Sequence, residues 1–464
     1  MAADILADGR WLLAVGAALF AISLIALGRD VSHWTTPDLM IYRHAGQTAL
    51  RSGDLYTSSF GSARFTYPPF SALMFEVLSG PVTQTKWIMT GASVAALTTT
   101  GWVAAGELHG RPTGRPTVRP TGRPTVRLTG RPTVRAGTAL VIAWAALWTD
   151  PVMSTFTWGQ IDLVLLAVTL ADLCMREDRW WKGTGVGLAA GMKLTPAIFI
   201  PYLLLTRRYR AAATATVTFG LTVTVSFAVL PAQARQYWLG GLFLHQQRVG
   251  YPDMLPDQSL DGVLTRLADP ASGSVWFAWL VAVAIVGTAG LMLAVLAHNR
   301  GLGLLGIVNC AVTGLLISPI SWDHHWVWIV PLPVAALAVV HQNDAADRMP
   351  RAFGAACLVA LSALFLDYPI FSGTTVSANS ALDGLIWGTY GNPDHWHGSQ
   401  LIFGNLYVLA GLGMLCAVAI VVSSYPSSRN PAAPLRRPMW RPDNWRRRER
   451  LRRPTPRSRR SPRP

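Results

Sequence analysis

Residues 274–297 read SVWFAWLVAVAIVGTAGLMLAVLA, a run of 24 positions with no charged side chain. As a helix with a rise of 1.5 Å per residue, this run is about 36 Å long, enough to cross a hydrocarbon core of about 30 Å. Comparable apolar blocks recur along the 464-residue chain, which is 51% hydrophobic and 14% charged; soluble domains average about 25% charged residues. The sequence therefore predicts an all-α, polytopic membrane protein and excludes an ordinary water-soluble enzyme.

Twelve apolar blocks are candidate spans or partial spans. They cover residues 11–27, 66–80, 86–106, 136–149, 160–175, 184–206, 211–230, 274–297, 302–318, 325–341, 351–368 and 400–423. Segment 184–206 has basic residues at both ends and Lys193-Leu194-Thr195-Pro196 at its centre, which favours two half-helices that meet at a break. Segments 66–80 and 86–106 cannot both cross if the basic repeat after them is cytoplasmic, so one is expected to insert only partially.

The net charge of +16 comes from two basic segments. One is a loop within a predicted multi-span domain at 1–425, and the other is the tail that follows this domain. An Arg-Pro-Thr repeat loop is predicted at 107–135, and its stretch 111–135 carries seven arginines and no acid. A tail at 426–464 carries 14 arginines against two acids, and without these two stretches the net charge is −3. Both are expected to be low-complexity segments, the tail cytoplasmic and disordered. The basicity therefore does not indicate a nucleic-acid partner.

Short basic clusters between the blocks are expected to stay on the cytoplasmic side. The segments then placed outside are 28–65, 150–159, 231–273, 319–324 and 369–399. The N-terminal region has no basic stretch, and no A-x-A site follows the first block, so this block is expected to remain as a membrane anchor. The four cysteines lack C-x-x-C spacing and are expected to pack as small hydrophobic residues.

The first candidate site is Thr36-Pro37-Asp38-Leu39-Met40-Ile41-Tyr42-Arg43-His44-Ala45-Gly46, just after the first block. A short interfacial helix that starts near Pro37 would present Asp38, Tyr42 and Ala45 on one face. Acids beside membrane spans are functional candidates because they are costly to place there. The alternative is that Asp38 only caps this helix.

The second candidate site is Ser318-Pro319-Ile320-Ser321-Trp322-Asp323-His324-His325-Trp326. Consecutive helical residues point about 100° apart and no H-x-x-x-H spacing occurs, so a metal site is not favoured here. Imidazoles that face a phosphate or a sugar hydroxyl fit the pattern better. Interfacial anchoring by the tryptophans, with solvated histidines, remains the alternative.

Other polar groups lie within or beside apolar blocks. Lys193 would snorkel to an interface or, at a broken helix, serve an anionic group. Gln160 and Asp162 begin the block at 160–175, and Gln258, Ser259 and Arg266 lie in the large outer loop.

Between Asp38 and Trp326 the chain contains, in order, the motifs D-L-x-x-Y, G-x-x-L-Y, Y-P-P, G-Q, K-L-T-P, Q-S-L and S-P-I-S-W-D-H-H-W. These motifs and their order resemble those of the actinobacterial polyprenyl-phosphate-mannose-dependent α-1,2-mannosyltransferases. Within this family of GT-C type, the chain looks most like the phosphatidylinositol mannoside and lipoarabinomannan enzymes. The resemblance implies a bundle of about 10–12 transmembrane helices with outer-face loops, short interfacial helices and an outward active site. Asp38 matches the family's catalytic carboxylate, whereas Asp162 stands where the family often has Asn, and the Arg-Pro-Thr repeat is foreign.

The resemblance also implies a lipid-phosphate donor, in agreement with the lack of a cytoplasmic nucleotide-binding domain in the pattern. We expect Asp38 to act as general base in one inverting displacement, toward a glycolipid or lipoglycan acceptor at the plasma membrane, with no metal cofactor. Lys193, His324 or His325, and Arg266 are expected to neutralise the leaving phosphate. The full predicted substrate-binding set is Tyr42, Tyr67, Gln160, Lys193, Gln258, Ser259, Arg266, Asp323, His324 and His325. The alternative function is a transporter or flippase of a lipid-linked sugar, which broken helices and an intramembrane lysine also suit.

Overall fold

The computed structural model describes residues 9–49, 51, 54–57, 59–60, 63–108, 132–245, 250, 253–268, 273–341, 348–366 and 398–425. Apart from one hairpin of two-residue strands, β1 (Ser59–Phe60) and β2 (Ala63–Arg64), its regular structure is helical. The α-helices are α1 Arg10–Asp30, α2 Pro37–Ala49, α3 Pro69–Met74, α4 Val82–Leu108, α5 Pro132–Ala146, α6 Asp150–Trp158, α7 Asp162–Leu173, α8 Thr184–Met192, α9 Phe199–Leu205, α10 Tyr209–Val229, α11 Pro231–Ala234, α12 Leu260–Leu267, α13 Gly273–Asn299, α14 Gly303–Ile317, α15 Leu332–His341, α16 Arg348–Ala363, α17 Ser399–Phe403 and α18 Leu406–Ser423. Shorter turns are the 3₁₀ helices Phe75–Leu78, Thr195–Ile198, Leu242–Leu244 and Asp323–Ile329 and the π-helical turn Arg235–Leu239.

Six helical segments of the described chain are long and apolar enough to cross a membrane. They are Arg10–Asp30, Val82–Leu108, Tyr209–Val229, Ser274–Asn299, Asp323–Val340 and Leu406–Ser423. Four shorter apolar segments accompany them, at Pro69–Leu78, Thr195–Leu205, Gly303–Ile317 and Met349–Ala363. The prediction of an all-α polytopic membrane protein is therefore confirmed.

The two irregular apolar blocks have the local structure that their sequences favour. Pro69–Leu78 is a ten-residue helical segment, about 15 Å long at 1.5 Å per residue, whereas α4 has 27 residues. The block at 184–206 is broken: α8 ends at Met192, Lys193 is extended with φ −147° and ψ 130°, and a 3₁₀ turn precedes α9. A proline two residues inside that turn prevents continuation of α8, because it lacks an N–H to donate.

The repeat loop is shorter than predicted, because helix α5 already begins at Pro132. Proline is favoured in the first helical turn, where its missing N–H costs nothing. The last arginine of the repeat, Arg135, donates from Nη2 to the Trp102 carbonyl at 2.9 Å and lies 4.2 Å above the Trp102 ring. Leu108 likewise belongs to α4 rather than to the loop. Residues 109–131, the segment 369–397 and the tail from 426 lie outside the described residues.

Two buried clusters hold the described helices together and position the candidate site. One lies between the long helices and includes Leu166, Phe199, Leu316 and Trp326. The other surrounds α2 and includes Tyr42 and Phe75, whose rings stack at 4.3 Å between centroids. The first cluster fixes the Ser318–Trp326 segment, and the second fixes the face of α2 that carries Asp38.

Candidate active site

Helix α2 places Asp38 in its first turn and buries Tyr42 and Ala45 on the same side, as the spacing predicts. Asp38 itself is only partly buried. Its Oδ2 accepts a hydrogen bond from Nε2 of Gln160, and no bond to Oδ1 occurs within the described residues. Because the helix begins at Pro37 and this bond comes from a distant side chain, the structure does not support a mere capping role for Asp38.

The G-Q motif is a turn that brings Gln160 to Asp38. Helix α6 ends at Gly159, which has φ +69°, and the Gln160 N–H then bonds to the Thr155 carbonyl at 2.8 Å. A Cβ added to Gly159 would lie 2.6 Å from Cβ of Leu39 on α2. Only glycine tolerates both the left-handed backbone and this close approach, so the motif packs Gln160 directly against the Asp38 helix.

Two tyrosines fix the orientation of the Gln160 amide. The Tyr42 hydroxyl donates to Oε1 of Gln160, and the Tyr67 hydroxyl lies 3.2 Å from the same oxygen and 2.8 Å from the Tyr42 hydroxyl. With its oxygen held by two O–H groups, Gln160 must present its NH₂ to Asp38. The predicted residues Asp38, Tyr42, Tyr67 and Gln160 therefore form one hydrogen-bonded network.

Lys193 extends this network from the break after α8. Its ammonium is buried, lies 5.5 Å from the centre of the Tyr67 ring, and donates to Oδ1 of Asp162 at 2.7 Å. Snorkelling to an interface does not describe this lysine, because it points into the protein toward a buried carboxylate. The predicted substrate-binding set omits Asp162. A buried lysine needs a charged or polar partner, and Asp162 could have been selected from the sequence as that partner.

The second motif forms a 3₁₀ turn whose histidines lie beside Asp162. Ligand atoms of Asp162, His324 and His325 are all within 4.8 Å of one another, and the two imidazole centroids are 4.7 Å apart. The two adjacent imidazoles are therefore close together in this turn, although the 100° spacing of helical residues did not favour a shared metal ion. Asp323 accepts from the Ser154 hydroxyl at 2.6 Å, and its Oδ1 lies 3.2 Å from Nδ1 of His324. Asp323 thus orients His324.

Gln258, Ser259 and Arg266 do not join this network in the described structure. The Gln258 amide donates to the Leu255 and Gly404 carbonyls, and the Ser259 hydroxyl caps α12 by accepting from the Gly262 N–H. These polar atoms hold the loop in the described structure. A role of Gln258 and Ser259 in substrate binding stays a prediction.

Arg266 is engaged in the same way. Its guanidinium donates to Oδ1 of Asn405 and to the carbonyls of Met254 and Asp257. Each of its donor nitrogens is directed at the protein. Its role in neutralising a leaving phosphate stays a prediction. Burial lowers the pKa of Arg266 to about 10, against the opposing effect of Asp257.

Asp257, which lies outside the predicted set of site residues, attaches the loop before α12 to the second motif. Its side chain is fully buried, with Oδ1 accepting from the Ser321 N–H at 2.8 Å. The Gln258 N–H bonds to the Ser321 carbonyl at 2.7 Å, and the Asp323 N–H bonds to the Pro256 carbonyl at 3.1 Å. The Q-S-L motif therefore acts through backbone pairing that sets the position of the histidine turn.

Burial raises the pKa of Asp38, while His324, Gln160 and Lys193 oppose the rise. A carboxyl whose pKa lies above its usual range is a better proton acceptor once ionised. One oxygen is held by Gln160, and the other is available to a hydroxyl of a substrate. Next to it stand one buried ammonium and two imidazoles, which are suited to an anionic group.

An exposed tryptophan lies beside the histidine turn. Trp158, at the end of α6, is 44% exposed, and its ring centroid lies 6.5 Å from that of His324. An exposed indole next to a polar cluster provides an apolar surface that suits a lipid or a sugar face. The arrangement therefore combines a carboxylate, a cationic group and an amphipathic side chain.

Comparison with known proteins agrees with this chemistry. The chain is 39% identical over 277 residues to the polyprenol-phosphate-mannose-dependent alpha-(1-2)-phosphatidylinositol pentamannoside mannosyltransferase of Mycolicibacterium smegmatis, covering 58% of this chain and 60% of that protein. It is 31% identical over 298 residues to the polyprenol-phosphate-mannose-dependent alpha-(1-2)-phosphatidylinositol mannoside mannosyltransferase of Mycobacterium tuberculosis, covering 62% of this chain and 65% of that protein. The chain thus spans less than two thirds of the length of these two relatives. No solved structure matches it.

The family model named Glycosyltransferase family 87 matches residues 65–319, which is more than half of the chain. This stretch includes Tyr67, Gln160 and Lys193 and ends at the start of the histidine motif. By this match, the chain belongs to glycosyltransferase family 87.

Proposed function

We propose that this protein transfers mannose from polyprenyl-phosphate-mannose to a mannoside glycolipid or lipoglycan and forms an α-1,2 linkage. The observation that carries the proposal is the network in which Asp38, Gln160, Tyr67, Lys193 and Asp162 follow one another through direct contacts. The relatives' names supply the donor and the linkage. The outer face of the plasma membrane is the proposed place of transfer, in line with the positive-inside pattern.

The proposed chemistry is a single inverting displacement. An acceptor hydroxyl loses its proton to Oδ1 of Asp38 as its oxygen bonds to the anomeric carbon. The bond from that carbon to the phosphate oxygen breaks, and polyprenyl phosphate leaves with the electron pair. Lys193, His324 and His325 stabilise the negative charge that develops on the phosphate. No proton need be supplied to this leaving group, so one carboxylate suffices, and the step itself draws on no metal ion.

The activity test uses the purified full-length protein in nanodiscs with polyprenyl-phosphate-mannose. Candidate acceptors are phosphatidylinositol mannosides of increasing mannose number and free mannose oligosaccharides. We expect donor-dependent mannose incorporation and an α-linked product by NMR of the new anomeric proton. If the protein moves the lipid-linked sugar across a vesicle membrane without any incorporation, it is a flippase and the proposal fails.

A further inference from the structure

The Asp162–His324–His325 cluster contains buried polar atoms that lack a hydrogen-bond partner in the described chain. All three side chains are more than nine-tenths buried, with exposed fractions of 7%, 4% and 9%. Within the described chain, Oδ2 of Asp162, both ring nitrogens of His324 and Nδ1 of His325 have no hydrogen-bond partner. Leaving a buried polar atom unpaired costs about 1–3 kcal/mol. Several such atoms that converge on one point indicate a ligand.

The donor set indicates which ligand fits besides a phosphate. Two imidazole nitrogens and one carboxylate oxygen are the combination that Zn²⁺ and similar transition-metal ions prefer, whereas Mg²⁺ prefers oxygen ligands. The three ligand atoms lie within 4.8 Å of one another. Tetrahedral ligands at about 2.1 Å from zinc are about 3.4 Å apart, so side-chain shifts of about one ångström would close the site.

The surroundings of the cluster also favour a cation. The Lys193 ammonium occupies only Oδ1 of Asp162 and leaves Oδ2 unpaired in the described chain. Asp323 stands at 3.2 Å from Nδ1 of His324, in ion-pair range although not aligned as a hydrogen bond. A carboxylate beside one ring nitrogen favours a proton there and leaves the other nitrogen's lone pair for a metal.

We propose that Asp162, His324 and His325 bind one divalent transition-metal ion of the Zn²⁺ class, and that this ion and the donor phosphate exclude each other. The exclusion follows from the histidines. A ring nitrogen that binds a metal must offer its lone pair, whereas the same nitrogen must carry a proton to donate to a phosphate oxygen. The metal-binding part of this proposal stands on the cluster alone. Only the competitor, the donor phosphate, rests on the proposed function.

The binding test uses the full-length, tag-free protein, stripped of metal with a chelator, and ZnCl₂ as the probe. We expect one zinc per chain by elemental analysis after gel filtration. His324→Ala, His325→Ala and Asp162→Asn should each weaken zinc binding by at least about tenfold, the loss typical for a lost ligand or its support. His298→Ala is the matched control, because His298 is a partly buried histidine at the far end of α13, and it should bind zinc as the wild type does.

The competition test measures transfer at varied donor concentrations. We expect ZnCl₂ to raise the apparent KM for the donor with unchanged kcat, MgCl₂ to have no such effect, and chelation to leave turnover intact. Zinc binding that survives in all three cluster variants, with each variant eluting as a folded monodisperse peak, would overturn the site. Loss of turnover on chelation, or inhibition that donor does not relieve, would overturn the exclusion. If the protein transfers no mannose at all, the binding test still decides the metal site independently.

Discussion

At the scale of single residues, the proposed transfer of mannose depends on the ionisation of Asp38 and on the charge of Lys193. Both were selected from sequence because ionisable groups near apolar spans are costly. The partner of each could not be derived in the same way. Gln160 lies 122 positions from Asp38 and Asp162 lies 31 positions from Lys193, and no local pattern specifies such pairings.

The raised pKa of Asp38 predicts an acid limb in the pH profile of kcat/KM. Protonated Asp38 cannot accept a proton, so activity should fall as the pH decreases through its pKa, at a higher pH than for an ordinary carboxyl group. Gln160→Ala removes a hydrogen bond that opposes the rise in pKa, so this variant should move the acid limb to still higher pH. Steady-state transfer assays over a pH series give the limb. An unchanged limb in Gln160→Ala would show that another group controls it.

Lys193→Met should raise the KM for the donor by about 10–100-fold, the effect of losing a charged contact worth about 1.5–3 kcal/mol. The KM for the acceptor should not change. This variant also leaves Asp162 without its ammonium, so it is compared with Lys193→Met/Asp162→Asn, in which no buried charge is left unpaired. If the lysine only balances Asp162, the double variant should recover both stability and donor KM. If Lys193 also binds the donor phosphate, the double variant should recover stability but not donor KM.

At the scale of structural elements, turns and breaks position the site. The G-Q turn, the break at Lys193 and the 3₁₀ turn at Asp323–Ile329 are all places where regular helix stops. The break could be predicted from Lys-Leu-Thr-Pro, because proline ends a helix. The approach of His324 and His325 to each other and to Asp162 could not, because it depends on side-chain rotamers and on the fold, which brings Asp162 to the histidine turn from a distant part of the chain.

Gly159→Ala should lower the rate of transfer strongly and the melting temperature only slightly. The substitution forces a side chain into a left-handed backbone and toward Leu39, at a cost of about 1–3 kcal/mol, and it displaces Gln160 from Asp38. Gly220→Ala is the matched control, because the space around Gly220 in α10 is open. Thermal unfolding and donor turnover are measured on both variants. Equal turnover in Gly159→Ala and wild type would contradict the role of the turn.

The loop that contains Asp257 should lose stability as the solution changes from acidic to neutral. Burial raises the pKa of Asp257 to about 7 from 3.8, so between these values the folded protein binds a proton that the unfolded chain has released. Stability therefore falls as the pH increases from about 4 to 7. Asp257→Asn should remove most of this slope while retaining the acceptor for Ser321. Asp261 has a pKa of about 6 and should account for the slope that remains. The measurement is the melting temperature at a series of pH values, followed by tryptophan fluorescence.

At the scale of the whole molecule, composition and block length were sufficient to predict an all-α polytopic membrane protein. The number of spans was not determined in that way, because several apolar blocks are short helices, such as the nine residues of α8. Motif order led to the family, but it did not predict that Gln258, Ser259 and Arg266 are engaged in contacts that hold a loop. Sequence order alone does not separate residues that hold a loop from residues that meet substrate.

Removal of 111–131 with a short Gly/Ser linker should leave transfer largely intact, because a repeat rich in proline and glycine packs no core. Extension of the deletion to 135 should destabilise the protein, since it removes the first turn of α5 and the contacts of Arg135 with Trp102. Expression, melting temperature and turnover distinguish the two deletions. A folded but inactive 111–131 deletion would show that the repeat has a function in transfer.

Single-turnover transfer by Asp38→Asn tests whether Asp38 is the base of a lipid-phosphate-dependent transferase. Asn keeps the size of the side chain and an acceptor oxygen but cannot take the acceptor's proton. The purified variant is preloaded with radiolabelled polyprenyl-phosphate-mannose, its donor binding is measured, and acceptor is then added in excess. We predict donor binding equal to that of the wild type and a transfer rate lower by about 10²–10⁴-fold, the usual contribution of a general base. A rate within about tenfold of the wild type would contradict the account and place the base elsewhere.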